Sequence, residues 1–149
     1  MTRLLLDAMC GGLRAYLQLC GHDAAYALDR GVEADDVVAA LAREENRTVV
    51  TRDRDLAAAT DGILLRERDP VDQLRELAAA GVPLEPTNRP ERCGRCNGTL
   101  DRVPDDGETP EYAPDPGGTT VWQCRDCEQC FWQGSHHDRM CDTLAAIRT

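Results

Sequence analysis

Thr48-Val49-Val50-Thr51 is a β-branched run followed at once by Arg52-Asp53, and the fold is read outward from it. Such a run, set between Asn46 and Asp53, reads as one strand of a sheet. Toward residue 1, Val37, Val38, Leu41 and Ala42 fall on one helical stripe and Asp23 to Leu28 is a weaker strand. Before them Leu13, Tyr16, Leu17 and Cys20 recur at helical spacing, and Leu4-Leu5-Leu6 is a buried-strand candidate. In the other direction Leu56 to Ala59 predicts a short helix and Ile63-Leu64-Leu65 a further strand. Strands that alternate with helices predict an α/β fold with a mostly parallel sheet flanked by helices.

The next helix is the best delimited. Asp69 is a natural N-cap, Pro70 suits the first helical position, Val71, Leu74 and Leu77 share a face, and Gly81 ends the element. Residues 82–92 carry three prolines and no periodicity, which predicts a linker. The expected division is therefore 1–81 as an α/β unit, 82–92 as linker and 93–149 as a second, smaller module. Within that module 104–118 is almost wholly Pro, Gly, Asp, Glu and Thr, and is expected to form a flexible excursion. Met140, Leu144 and Ile147 predict a C-terminal helix.

Composition bounds the function. The chain has 149 residues with 42% hydrophobic and 30% charged side chains, enough apolar material for a core and too much charge for a membrane protein. The 27 acidic residues outnumber 17 basic ones, every one of them Arg, for a net charge of −10. That balance is expected of a halophilic protein, which must stay soluble where salt screens self-repulsion. It also excludes broad, unspecific nucleic-acid binding, which draws on many cationic side chains, so any such role is local. Met-Thr-Arg-Leu-Leu-Leu-Asp lacks the apolar core of a signal peptide, and the cytoplasm is the expected compartment.

In a reducing compartment eight cysteines point to metal before disulfide. Cys93-x-x-Cys96, 27 residues, then Cys124-x-x-Cys127 supplies two knuckles, whose four thiolates complete a tetrahedral, structural Zn²⁺ site. Cys130, Cys10, Cys20 and Cys141 are expected as small packed hydrophobes. Trp122, Phe131 and Trp132 are expected mainly as the core of this small module, with stacking on the bases of a single strand as the alternative. Ser135 is expected to cap the last helix.

A second constellation is acidic. Asp7 follows the first strand, Asp35 and Asp36 open the second helix, and Asp53 follows Thr48 to Thr51. Ligands of an open parallel sheet bind beyond the ends of its strands, so Asp7 and Asp53 converge if their strands are neighbours. Carboxylates without a nearby His suit Mg²⁺ or Mn²⁺, which bind phosphate oxygens and activate water for phosphodiester hydrolysis. Each of these Asp residues also stands where a helix N-cap is wanted. Arg43, Arg47, Arg52 and Arg54 are expected to flank the site, and Arg89, Arg92 and Arg95 the first knuckle.

Leu4 to Leu13, Leu19-Cys20-Gly21-His22-Asp23, Asn46 to Arg54, Cys93 to Asn97, Cys124 to Cys127 and Phe131-Trp132-Gln133-Gly134-Ser135-His136 together resemble the Mut-seven C-terminal RNase family. The resemblance implies a PIN-like nuclease domain followed by a zinc ribbon. It also implies Asp7 and Asp53 as acidic-site residues, with Asp35 or its neighbour Asp36 beside them. From their places in the chain, Arg14, Arg52 and Arg54 are expected to contact RNA, and His136 the substrate or the nuclease domain. The family has an Arg where this chain has Gln18 on the first helix. Two functions follow as expectations: a Mg²⁺- or Mn²⁺-dependent ribonuclease, or a non-catalytic RNA-binding or adaptor module on the same scaffold. A role confined to protein interaction is a weaker third.

Overall fold

The computed structural model describes residues 2–148. Its first half is a parallel sheet of four strands: β1 (Arg3–Leu6), β2 (Asp23–Tyr26), β3 (Thr48–Thr51) and β4 (Ile63–Leu64), in the order β2-β1-β3-β4. Leu6 pairs with Tyr26 on one side and with Val50 on the other. Helices cover both faces, as the alternating pattern predicts: a 3₁₀ segment at Ala8–Leu13, then α1 (Arg14–Leu19), α2 (Asp35–Glu45), α3 (Arg54–Thr60) and α4 (Pro70–Ala79).

Three adjacent leucines suit this arrangement because successive side chains of a strand point to opposite faces. Leu4 and Leu6 pack with Leu13, Leu17, Leu74 and Leu77, whereas Leu5 packs with Val49, Val38 and Leu56. On α2 the inward stripe narrows to Val38 and Ala42, and Val37 is exposed. Asp69 caps α4 through Val71 N–H at 2.8 Å, as expected.

The second sheet is antiparallel, with β5 (Leu100–Arg102), β6 (Val121–Cys124) and β7 (Cys130–Trp132) in chain order. The excursion at 104–118 contains no helix or strand, but it folds back on this sheet. Tyr112 Oη accepts a hydrogen bond from Cys130 N–H at 3.0 Å, and Ala113 packs against Val103, Val121 and Cys130. Composition hid this because a few side chains, among them Ala113 and the buried Pro116, do the packing for a segment that is otherwise largely exposed.

The last helix, α5 (Ser135–Arg148), starts at Ser135 itself, with the Gly134 carbonyl accepting from Asp138 N–H; the glycine therefore holds the capping position. Counted with the second module in sequence, α5 puts Leu144 and Ile147 into the core of the parallel sheet, where Val82 and Leu84 of the proline-rich stretch also lie. No helix among the described residues is long and apolar enough to cross a membrane.

Candidate functional site

Two sites emerge, at opposite edges of the parallel sheet. At the edge beyond the strand ends, Asp7 N–H donates to the Val50 carbonyl at 3.0 Å, which fixes the end of β1 against β3. Asp7 then uses one carboxylate oxygen to cap Ala8 N–H at 2.9 Å and the other to accept from Thr51 Oγ1 at 2.7 Å. Thr51 Oγ1 in turn accepts from Asp53 N–H at 3.0 Å, so one buried hydroxyl links the Asp7 carboxylate to the backbone of Asp53. Thr51 was not singled out in the sequence. Its signal was a polar residue ending an apolar strand.

Asp53 Oδ1 accepts from Asp55 N–H at 2.9 Å and Leu56 N–H at 3.2 Å, and so caps α3. The Leu56 N–H bond leads in holding its carboxyl below the ordinary range. Asp35, at the first turn of α2, hydrogen-bonds to Asp53; its carboxyl is raised by loss of water, by that bond and by the charges of Asp53, Asp7 and Asp36. Asp36 instead accepts from Val37 N–H at 3.0 Å. The structure thus gathers Asp7, Asp53 and Asp35 and leaves Asp36 one position out.

The gathering follows from topology. From β1 the chain moves to β2 on one side, then crosses to β3 on the other, so β1 and β3 diverge from a switch point, where such sheets open a crevice beyond their carboxyl ends.

The arginines are distributed less simply. Arg14 pairs with Asp29 and lies over the Tyr26 ring, 5.2 Å from its centroid. Arg52 has a buried Nε with no hydrogen-bond partner among the described residues, and its backbone meets the thiol of Cys10, which burial pushes up to about 12. Arg54 is exposed at the start of α3. Arg47 does not flank the acidic cluster: it precedes β3 and so lies at the opposite edge, its side chain 5% exposed and bonded to Asp23, Glu45 and the Leu4 carbonyl. Arg43, near the end of α2, has likewise run away from the cluster.

At that opposite edge sits the four-cysteine group. The Sγ atoms of Cys93, Cys96, Cys124 and Cys127 all lie within 4.8 Å of one another, and no other such group of ligand atoms occurs among the described residues. Cys93 and Cys127 are 3.6 Å apart and Cys96 and Cys124 3.5 Å. Tetrahedral Zn–S bonds of about 2.3 Å place sulfurs about 3.8 Å apart, so the four residues fit Zn²⁺. Backbone N–H groups of Arg95, Asp126 and Cys127 point at these sulfurs at 3.3 to 3.5 Å, the outer-sphere donors that a thiolate site needs. A Cβ at Gly98 would stand 2.7 Å from Cys124 Sγ, which explains that glycine. Cys130 is packed in the module's small core, as expected, and Cys10 and Cys20 are buried; Cys141 is only half-buried, 3.4 Å from His137 Nε2.

The module is tied to the first sheet by buried polar groups. Asn97 Nδ2 donates to Asp23 Oδ1 at 2.6 Å, and Gln18 Nε2 donates to Asn97 Oδ1 at 2.9 Å and to the Ala24 carbonyl at 3.1 Å. Gln18 is therefore a docking residue between the two sheets. His136 is exposed and lines the cleft between α1 and the second sheet, whose lining includes none of the acidic cluster. The aromatic expectation holds in part: Trp132 packs on the module's core, while Trp122 and Phe131 stay half-buried outside it.

Neither a curated protein nor a solved structure matches the chain. A family model, described as the Mut7-C RNAse domain, matches residues 2–144 and so spans both sheets, the acidic cluster and all four clustered cysteines. The chain belongs to the Mut7-C RNAse domain family.

Proposed function

We propose that the protein is a metal-dependent ribonuclease whose reaction takes place at Asp7, Asp53 and Asp35. The observation that carries this reading is the meeting of the three carboxylates at the β1/β3 switch point, with Asp35 raised by loss of water and then by its acidic neighbours. Negative charges crowded at a surface edge cost stability unless a cation joins them. A Mg²⁺ or Mn²⁺ ion held there supplies a polarised water and charge to meet the phosphate oxygens. The chain's own part is positional: Thr51 aims one oxygen of Asp7, the α3 amides aim Asp53, and exposed Arg54 is placed to meet the RNA backbone. Zn²⁺ at the four cysteines has a structural role, because a closed four-sulfur site leaves no position for substrate.

The test compares wild-type protein with Asp7→Asn and Asp53→Asn on labelled RNA with Mn²⁺. Asn keeps an acceptor oxygen for the capping N–H at either position, and a melting temperature beside each assay checks that the variant is folded. Each is expected to lose cleavage by at least about a hundredfold. Cleavage by Asp7→Asn at the wild-type rate overturns the assignment.

A further inference from the structure

The second sheet keeps two aromatic side chains out of its core, and they share a face. Cross-strand register places Arg102 opposite Trp122 and Trp122 opposite Phe131, so the three side chains form one row across β5, β6 and β7. Trp122 and Phe131 are half-buried and belong to no hydrophobic cluster of the described residues, and Arg102 is exposed. The chain has six aromatic residues, and two of them stand on this face.

The row runs into a cleft. Phe131 and Leu100 form its wall on the sheet side, α1 forms the other with Ala15 and Gln18, and the space between is about 370 Å³. Its floor is small by construction: a Cβ added at Gly94 would lie 3.7 Å from Ala15 Cβ, Phe131 Cε1 and Gln18 Oε1, ordinary contact distances. Gln18 is 2% exposed, and its Oε1 has no hydrogen-bond partner.

The amide cannot be turned to cure this. The Asp23 carboxylate takes Asn97 Nδ2, which leaves Asn97 Oδ1 to accept from Gln18 Nε2, and Oε1 must then face the cleft floor as an acceptor in want of a donor. A buried acceptor left unmet costs stability, and such groups recur where a ligand supplies the partner.

The geometry points to this face as a platform for single-stranded RNA, with Trp122 and Phe131 stacking on successive bases and the cleft admitting the edge of one unpaired base, whose N–H meets Gln18 Oε1. A flat aromatic row with one cation at its end suits unpaired bases. A duplex hides the edges that the cleft would read. The row also fits a chain of net charge −10: stacking supplies affinity that few phosphate contacts can give, and that high salt leaves intact. The inference deepens the ribonuclease reading by naming the substrate as unpaired RNA, and its test does not depend on hydrolysis.

The experiment measures binding of a labelled single-stranded RNA of about ten nucleotides to zinc-loaded full-length protein without Mg²⁺ or Mn²⁺, by fluorescence anisotropy and by quenching of tryptophan emission. The expected result is saturable binding with quenching, a shallow salt dependence near one released counterion, and much weaker binding of the same RNA annealed to its complement. Trp122→Ala and Phe131→Ala, with zinc content and melting temperature retained, are expected to weaken binding about tenfold or more each. Gly94→Ala puts a methyl on the cleft floor and is expected to weaken it several-fold. Unchanged affinity in both aromatic variants, equal binding of duplex, or absence of binding overturns the inference. Because Asp7 and Asp53 play no part in this readout, wild-type cleavage alongside failed binding removes only the platform. Binding alongside failed cleavage removes only the nuclease assignment.

Discussion

Asp23 begins β2 with both oxygens engaged: Arg47 and Asn97 take one, Arg3 and Arg92 the other. Burial alone would raise its carboxyl, but the Asn97 and Arg47 bonds outweigh that and hold it below the ordinary range. Asp23→Asn keeps the shape and leaves the Arg47 guanidinium with Glu45 as its one remaining charge partner, and is expected to destabilise the fold by about 3 kcal/mol in chemical denaturation. His22 is a second buried polar group of this edge, 2% exposed. Its Nδ1 accepts from Thr2 N–H at 3.1 Å and its Nε2 meets the Pro83 carbonyl at 2.6 Å, so the ring is neutral with its proton on Nε2. Burial lowers its pKa below 6.5, so the unfolded chain binds the proton first as pH falls. The stabilisation is complete above 6.5 and fades as pH drops from there toward the lowered folded value. Melting temperatures of wild type and His22→Gln between about pH 7.5 and pH 5.5, with zinc in excess, are expected to converge toward the acid end. Of these residues the sequence announced little, because Asn97 lies 74 positions from Asp23 and no local pattern joins them.

At the scale of elements, the sequence was most readable where one segment carries its own signals. α4 has its cap, its proline and its apolar stripe within a dozen residues, and Asp69→Ala is expected to cost about 1 kcal/mol, read as a shift in denaturation midpoint at constant slope. The acidic cluster was legible for a related reason: a residue directly after a strand of a parallel sheet stands at the strand-end edge whatever the partners are. The same rule assigns Arg47, directly before β3, to the other edge, which the sequence reading missed by treating nearness in the chain as nearness in space. The row of Arg102, Trp122 and Phe131 had no such signal, since it exists only once three strands are paired in register.

For the whole molecule, the second sheet is held between two returns of the chain to the first core, Val82 and Leu84 before it and Leu144 after it. Its clustered cysteines neighbour Asn97, and Asn97 reaches Asp23, so a metal held by the four thiolates would act on the parallel sheet as well. Stripping zinc with a strong chelator is expected to erase amide protection in Val121–Cys124 and to lower it in Asp23–Tyr26, while Pro70–Ala79 keeps its own; uniform loss across all three would mean a single cooperative unit. The strand-end edge and the edge where the second module docks are separated by the length of β1 to β3, roughly 13 Å for four residues. On the proposed ribonuclease reading, RNA held by the second module and cut at the carboxylates would have to run the length of these strands, so the sheet would act as a spacer between holding and cutting.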